Sequence, residues 1–364
     1  MEVMRAAQER VERGAEVLHL EVGQPSTPAP AGVRAAAHQA IDADVLGYSV
    51  AAGIEPLRQR IATHYHDWYG ADIDPGRIVV TAGASAGCVL AFLASFDVGD
   101  RVAVTAPGYP CYRNMLEAFG IEVVSIDLDA STRFQPTPEH LDQVGPLAGI
   151  VVASPSNPTG TMLPADDLTA LGEHCRRHGV RLISDEIYHG ITFTDPATTA
   201  AHDIDAIVVN SFSKYFSMTG WRLGWLVVPP SLASSVERLA QNLYIAPSTL
   251  SQHAAVAAFD CHEELAENVA RYRINRTLLL DGLAAARFDQ VAPADGAFYA
   301  YADVSHLTDD SVALCARWLD ELGVAATPGI DFDPARGHHQ VRFSFAGAAD
   351  DITEAVRRLA LDRP

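Results

Sequence analysis

Seven short apolar runs punctuate the middle of this chain: Arg77 to Gly83, Arg101 to Pro107, Ile121 to Leu128, Gly149 to Pro155, Val180 to Glu186, Ala206 to Ser213 and Leu223 to Val228. Runs of this length, bounded by small or polar residues, read as buried strands. Between many of them, Ala84 to Phe96, Asn114 to Gly120 and Asp166 to Gly179 carry helical spacing. Strand and helix therefore alternate, an arrangement satisfied by parallel strands with helices covering both faces. The expectation is the α/β class, with a largely parallel, helix-flanked sheet.

From Ser231 to Arg287 the pattern becomes helical, and a second unit begins near Phe288. There Phe298 to Val304 and Gln340 to Ala346 read as strands, and Ser311 to Leu322 and Asp350 to Leu361 as amphipathic helices, which gives a smaller α+β layer. A chain of 364 residues, 48% of them hydrophobic, is long enough for two such units.

Charge narrows the partners. The net charge of -20, from 46 acidic against 26 basic residues, argues against a nucleic-acid partner, whose phosphates call for a basic face. No apolar run approaches the roughly 18 residues of a membrane span. Met1 to Arg13 is charged and reads as a first helix instead of a signal peptide. Five scattered cysteines, Cys88, Cys111, Cys175, Cys261 and Cys315, form no C-x-x-C and read as reduced thiols of a cytoplasmic protein. Small-molecule chemistry is the remaining expectation.

That chemistry concentrates where the strands end, the place where open α/β sheets bind ligands. Ser211-Phe212-Ser213-Lys214 followed by Gly220-Trp221-Arg222 sets one lysine between hydroxyls and a guanidinium. Such a set suits pyridoxal phosphate, whose aldehyde needs an amine and whose phosphate needs donors. Asp185 closes its strand and offers a carboxylate for a pyridine nitrogen. Tyr188 and Asn157 can donate to the phenolic oxygen of such a ring. Gly83-Ala84-Ser85 opens a helix and forms an anion site. Tyr109 presents a ring suited to stacking on a flat heterocycle. The fork of Arg342 suits a carboxylate.

Taken together and in this order, these residues resemble those of the fold type I, class I/II pyridoxal phosphate-dependent aminotransferases, and the similarity runs over nearly all of the chain. The resemblance implies that Lys214 is the Schiff-base lysine and proton shuttle, that Asp185 binds the ring nitrogen, and that Asn157 and Tyr188 bind the ring oxygen. It places Ser85, Ser211 and Arg222 on the phosphate, with Ser213 a helper. It further implies that Tyr109 stacks on the ring and that Arg342 and Gly23 receive the substrate carboxylate. Tyr48 resembles the tyrosine that relatives lend to the phosphate site of the neighbouring subunit, so a homodimer is implied. The implied units are residues 30–260, binding the cofactor, and a smaller one from residues 1–29 and 261–364.

The activity so implied moves an amino group between an amino acid and a 2-oxo acid. A carbon–sulfur β-lyase on the same scaffold is the alternative, since both begin with proton removal from Cα. A non-catalytic regulator is a third and weaker reading. The loop Pro328 to Phe332 continues with Asp333-Pro334 where relatives usually have glycine, and no second arginine for an acidic side chain is identified. Among histidines, His64 with His66, His174 with His178, and His338 with His339 are expected at the surface. No metal is expected, because neither an H-E-x-x-H motif nor clustered Cys and His accompanies any pair.

Overall fold

The computed structural model of the chain describes residues 2–362. Helix α1 (Glu2–Glu12) leads into a short strand β1 (Leu18–His19), then α2 (Ala31–Ala43) and α3 (Glu55–Tyr69). The central sheet follows: β2 (Ile78–Thr81), α4 (Ala84–Ser95), β3 (Arg101–Ala106), α5 (Pro110–Ala118), β4 (Glu122–Asp127), α6 (Pro138–Val144), β5 (Gly149–Ala153), α7 (Ala165–His178), β6 (Arg181–Asp185), β7 (Ile207–Ser211) and β8 (Gly224–Val227). Its strand order is β2-β8-β7-β6-β5-β3-β4. β8 is antiparallel to both its neighbours; every other pairing is parallel. This is the α/β architecture that the alternation predicts.

Both faces of the sheet are dry because successive residues point to opposite sides. Val80, Ile150, Leu182 and Val208 join one apolar cluster, while Val79, Val151, Ile183 and Val209 join the other. A strand buried on both faces needs an unbroken apolar run, which is why these segments are legible in sequence.

Helices α8 (Pro230–Tyr244), α9 (Thr249–Val256) and α10 (His262–Ala285) lead to a second, three-stranded sheet. It comprises β9 (Tyr299–Asp303), β11 (Thr327–Pro328) and β12 (Gln340–Ser344) in the order β11-β12-β9, flanked by α11 (Ser311–Arg317) and α12 (Ala349–Leu359). The remaining strand, β10 (Val324–Ala325), pairs in parallel with β1, tying the start of the chain to this layer.

Three sequence expectations change. The helix expected over Asn114 to Gly120 begins earlier, at Pro110, because proline is well placed in a first helical turn, where no backbone donor is needed. The helix expected over Ser311 to Leu322 stays α-helical only to Arg317; Trp318–Leu322 is a wider π-type turn that Gly323 ends in left-handed geometry. His64 and His174 are buried, not at the surface, whereas His66, His178, His338 and His339 are exposed. His64 packs among Trp68, Tyr69 and Phe259, and burial lowers its pKa to about 3, so the ring is neutral.

Candidate active site

The carboxyl ends of β5, β6 and β7 open on one side of the sheet and deliver Asn157, Asp185 and Lys214 to a single cavity of about 330 Å³. Loops that follow a strand end inherit its rigidity, so these side chains are held by the core. Ser85, Tyr109, Tyr188, Ser213, Arg222, Gly23 and Arg342 also line it.

The Lys214 amine donates to the carbonyl oxygen of Gly23 at 2.6 Å. Burial, then the positive charges of Arg342 and Arg222, pull its pKa down to about 8, against the opposing pull of Asp185. The amine is thus poised to be neutral close to physiological pH. A Cβ at Gly23 would fall 1.8 Å from the Tyr299 hydroxyl, so any larger residue there requires the loop or the ring to shift.

Asp185 is buried at the end of β6, and both its oxygens are held. Oδ1 accepts from the backbone of Ile187 at 3.0 Å and Oδ2 from the Tyr112 hydroxyl at 2.5 Å. Burial raises its pKa, and the two hydrogen bonds and Lys214 oppose that rise. Tyr188 exchanges a hydrogen bond with Tyr299 at 2.8 Å; if Tyr299 donates, the Tyr188 proton is free for a ligand.

An anion cradle lies at another wall. Gly83 adopts a φ of 83° just before α4, and a Cβ there would press within 2.5 Å of the Arg222 guanidinium. Close approach of a guanidinium to a helix N-terminus, with the Ser85 hydroxyl beside it, concentrates donors and positive potential.

Arg342 sits between the rings of Tyr299 and Phe332, 4.4 and 4.8 Å from their centroids. Its Nη1 donates to Asn157 Oδ1 at 2.9 Å, and Nη2 donates to the carbonyl of Glu21 at 2.6 Å and to Thr327 at 3.1 Å. The buried Nε has no partner. The guanidinium lines the cavity, where its fork suits a carboxylate ligand.

Three residues singled out in the sequence are not part of the cavity wall. Ser211 is set behind it, its hydroxyl bonded to Ser213 at 2.9 Å and to the carbonyl of Leu223 at 3.0 Å. Gly83 contributes backbone beneath Arg222. Tyr48 is 86% exposed on the surface. Conversely, Tyr112, Thr219 and Tyr299 line the cavity and were not singled out. Tyr112 lies three positions from Tyr109, so one turn of α5 brings them together, and that spacing was the available signal.

An amine, a buried carboxylate and an anion cradle on separate walls match the aldehyde, ring nitrogen and phosphate of pyridoxal phosphate, and the volume lies at the lower end of ordinary ligand pockets. Comparison with known proteins agrees. Residues 15–359 match the model of the family aminotransferase class I and II, and the chain belongs to that family of pyridoxal 5'-phosphate-dependent aminotransferases. It is 53% identical to the valine–pyruvate aminotransferase of Mycobacterium tuberculosis, over 99% of this chain and 94% of that one. A crystal structure of an aminotransferase from M. tuberculosis superimposes with a TM-score of 0.97 at 53% identity, covering 99% and 95% of the two chains. Thermus thermophilus aspartate aminotransferase with maleate superimposes at 0.93, at 31% identity over 98% and 94%. The chain is a transaminase, acting on amino acids and 2-oxo acids.

Proposed function

We propose that this enzyme takes its amino group from a neutral aliphatic amino acid of the valine and alanine class and gives it to a 2-oxo acid such as pyruvate. The observation that carries this reading is the inventory of cations on the cavity wall. Lys214, Arg222 and Arg342 are its lysines and arginines among the described residues. Each has a task on the backbone of the chemistry, which leaves none for an acidic side chain. The valine–pyruvate name of the 53% identical relative supports the same class.

The cavity lining supports the following roles when the cofactor is bound. Pyridoxal phosphate supplies an electron-accepting ring that stabilises the charge left when the substrate loses its Cα proton. Lys214 would hold the cofactor through its amine, and that amine, when free, would move the proton. Asp185 would pair with the ring nitrogen. Asn157, whose Oδ1 is taken by Arg342, offers its amide donor to the ring oxygen together with Tyr188. Tyr109 would stack on the ring. Ser85, Ser213 and Arg222, with the Gly83 and Ala84 backbone, hold the phosphate, and Ser211 orients Ser213. Arg342 and Gly23 take the substrate carboxylate.

A homodimer in which Tyr48 reaches the neighbouring phosphate site is part of the proposal. Val45, Tyr48 and Val50 are 96, 86 and 61% exposed, an apolar strip that a partner would cover. The division into residues 30–260 and residues 1–29 with 261–364 rests on the two separate sheets and on the pairing of β1 with β10. A cytoplasmic site of action accords with five free cysteines. Among the described residues no helix is long and apolar enough to cross a membrane. The carbon–sulfur lyase alternative draws no support from these relatives, which are named as aminotransferases.

Half-reactions with single amino acids, followed by loss of the cofactor's visible absorption, test the reading. Valine and alanine should convert one equivalent of enzyme and stop, at least about tenfold faster than aspartate. Aspartate reacting as fast as valine would overturn the substrate class, and continuous release of ammonia and pyruvate from an amino acid with a thioether on Cβ, such as cystathionine, would restore the lyase.

A further inference from the structure

Outside the cavity lining, helix α7 carries His174 and His178 one turn apart, the spacing that puts two side chains on one helical face. Their rings lie 4.2 Å apart between centroids and tilt by 32°. The neighbouring helix α6 adds Asp142, whose Oδ1 is 3.5 Å from His174 Nε2. One ligand atom from each of the three residues falls within 4.8 Å of the others.

We propose that Asp142, His174 and His178 form a binding site for a divalent transition metal of the Zn²⁺ class, which clamps α6 to α7. The two-nitrogen, one-carboxylate set is that of zinc sites, with water completing the coordination.

Two details favour a ligand over a simple ion pair. The Nδ1 of His178 lies 2.9 Å from the carbonyl oxygen of His174. A carbonyl only accepts, so Nδ1 carries the proton, and in the neutral ring Nε2 keeps a free lone pair. A hydrogen bond of this kind on the far nitrogen is the usual support of a metal-ligating histidine. The 3.5 Å between His174 Nε2 and Asp142 Oδ1 is long for a hydrogen bond but close to the about 3.4 Å that separates two ligands of a tetrahedral zinc ion with bonds near 2.1 Å. His174 is buried, while Asp142 is 65% and His178 also exposed, so an ion has a way in from solvent.

The site is separate from the cavity and none of its residues lines that wall. Metal should therefore change stability and leave transamination unaltered.

The test uses chelator-treated holoenzyme titrated calorimetrically with ZnCl₂ at pH 7.5, with MgCl₂ in parallel. Wild type should bind one Zn²⁺ per chain and melt at a higher temperature with it, and Mg²⁺ should do neither. His178→Ala should weaken Zn²⁺ by at least about tenfold and abolish the melting shift, Asp142→Asn should weaken it less, and kcat should stay at the wild-type value. Lowering the pH to 5.5 should also release the ion, because protons compete for imidazole. Wild type that binds no Zn²⁺, or His178→Ala that binds it undiminished at other surface groups, would overturn the proposal.

Discussion

The Tyr112 hydroxyl donates to Asp185 Oδ2 across 2.5 Å, and both residues are buried against the cavity that holds Lys214. A hydrogen bond to an ionised carboxylate contributes about 1.5–3 kcal/mol. Burial already pushes the Asp185 pKa up, and Tyr112 is the leading influence against it. Tyr112→Phe should therefore shift Asp185 further toward its neutral form and weaken pairing with a protonated ring nitrogen. The expected outcome is a drop in apoenzyme affinity for pyridoxal phosphate by at least about tenfold, read by fluorescence titration, with an unchanged far-ultraviolet circular dichroism spectrum.

Gly23 offers a steric test. Alanine would place its Cβ 1.8 Å from the Tyr299 hydroxyl, so either the loop or the ring must move. Both line the cavity. Gly23→Ala should lower kcat/KM by about tenfold or more, and a variant with wild-type kinetics would show that the loop yields without consequence.

Arg342→Lys keeps the charge but loses the fork that reaches Asn157, Glu21 and Thr327 together. Steady-state kinetics should show KM for the amino donor raised by about two orders of magnitude, with cofactor affinity changed far less.

The depressed pKa of Lys214 predicts a pH profile for cofactor capture. Only the neutral amine attacks an aldehyde, and a pKa of about 8 makes about a tenth of the amines neutral at pH 7 and most of them at pH 9. The rate at which apoenzyme takes up pyridoxal phosphate should rise through that interval and level off. A rise centred near 10.5, the ordinary lysine value, would contradict the burial and the two arginines as its cause.

Tyr48 projects from the surface of its own chain, so its loss costs the isolated fold little. In a dimer of the proposed kind, Tyr48→Phe should loosen pyridoxal phosphate by about tenfold while sedimentation still reports two chains. Equal cofactor affinity in the variant would remove Tyr48 from the phosphate site.

The limits of sequence reading show in particular elements. Helices α2 and α3 were not expected, since α2 is a run of small residues and α3 mixes tyrosine, tryptophan and histidine on both faces. His64 looked like a surface residue until α3 packed it into an aromatic cluster. Tyr299 sits in an apolar stretch where a tyrosine reads as core, and only its hydroxyl, bonded to Tyr188 and set against Gly23, reveals its place at the site. Asp142 is one acid among many in sequence, and it becomes a partner of His174 only because α6 docks on α7.

Local order along the chain was enough to determine the α/β class and the strand ends, and to single out Lys214, Asp185, Asn157 and Arg222, which the fold brings to one cavity. Burial on two faces demands continuous apolar runs, and catalytic side chains must follow directly on them. Tertiary structure alone decided that β8 runs antiparallel, that Arg342 meets Asn157 across 185 residues, and that Tyr112 grips Asp185. Those relations depend on which elements pack together and at what distance, and packing is settled by the whole core at once, beyond the reach of any local pattern.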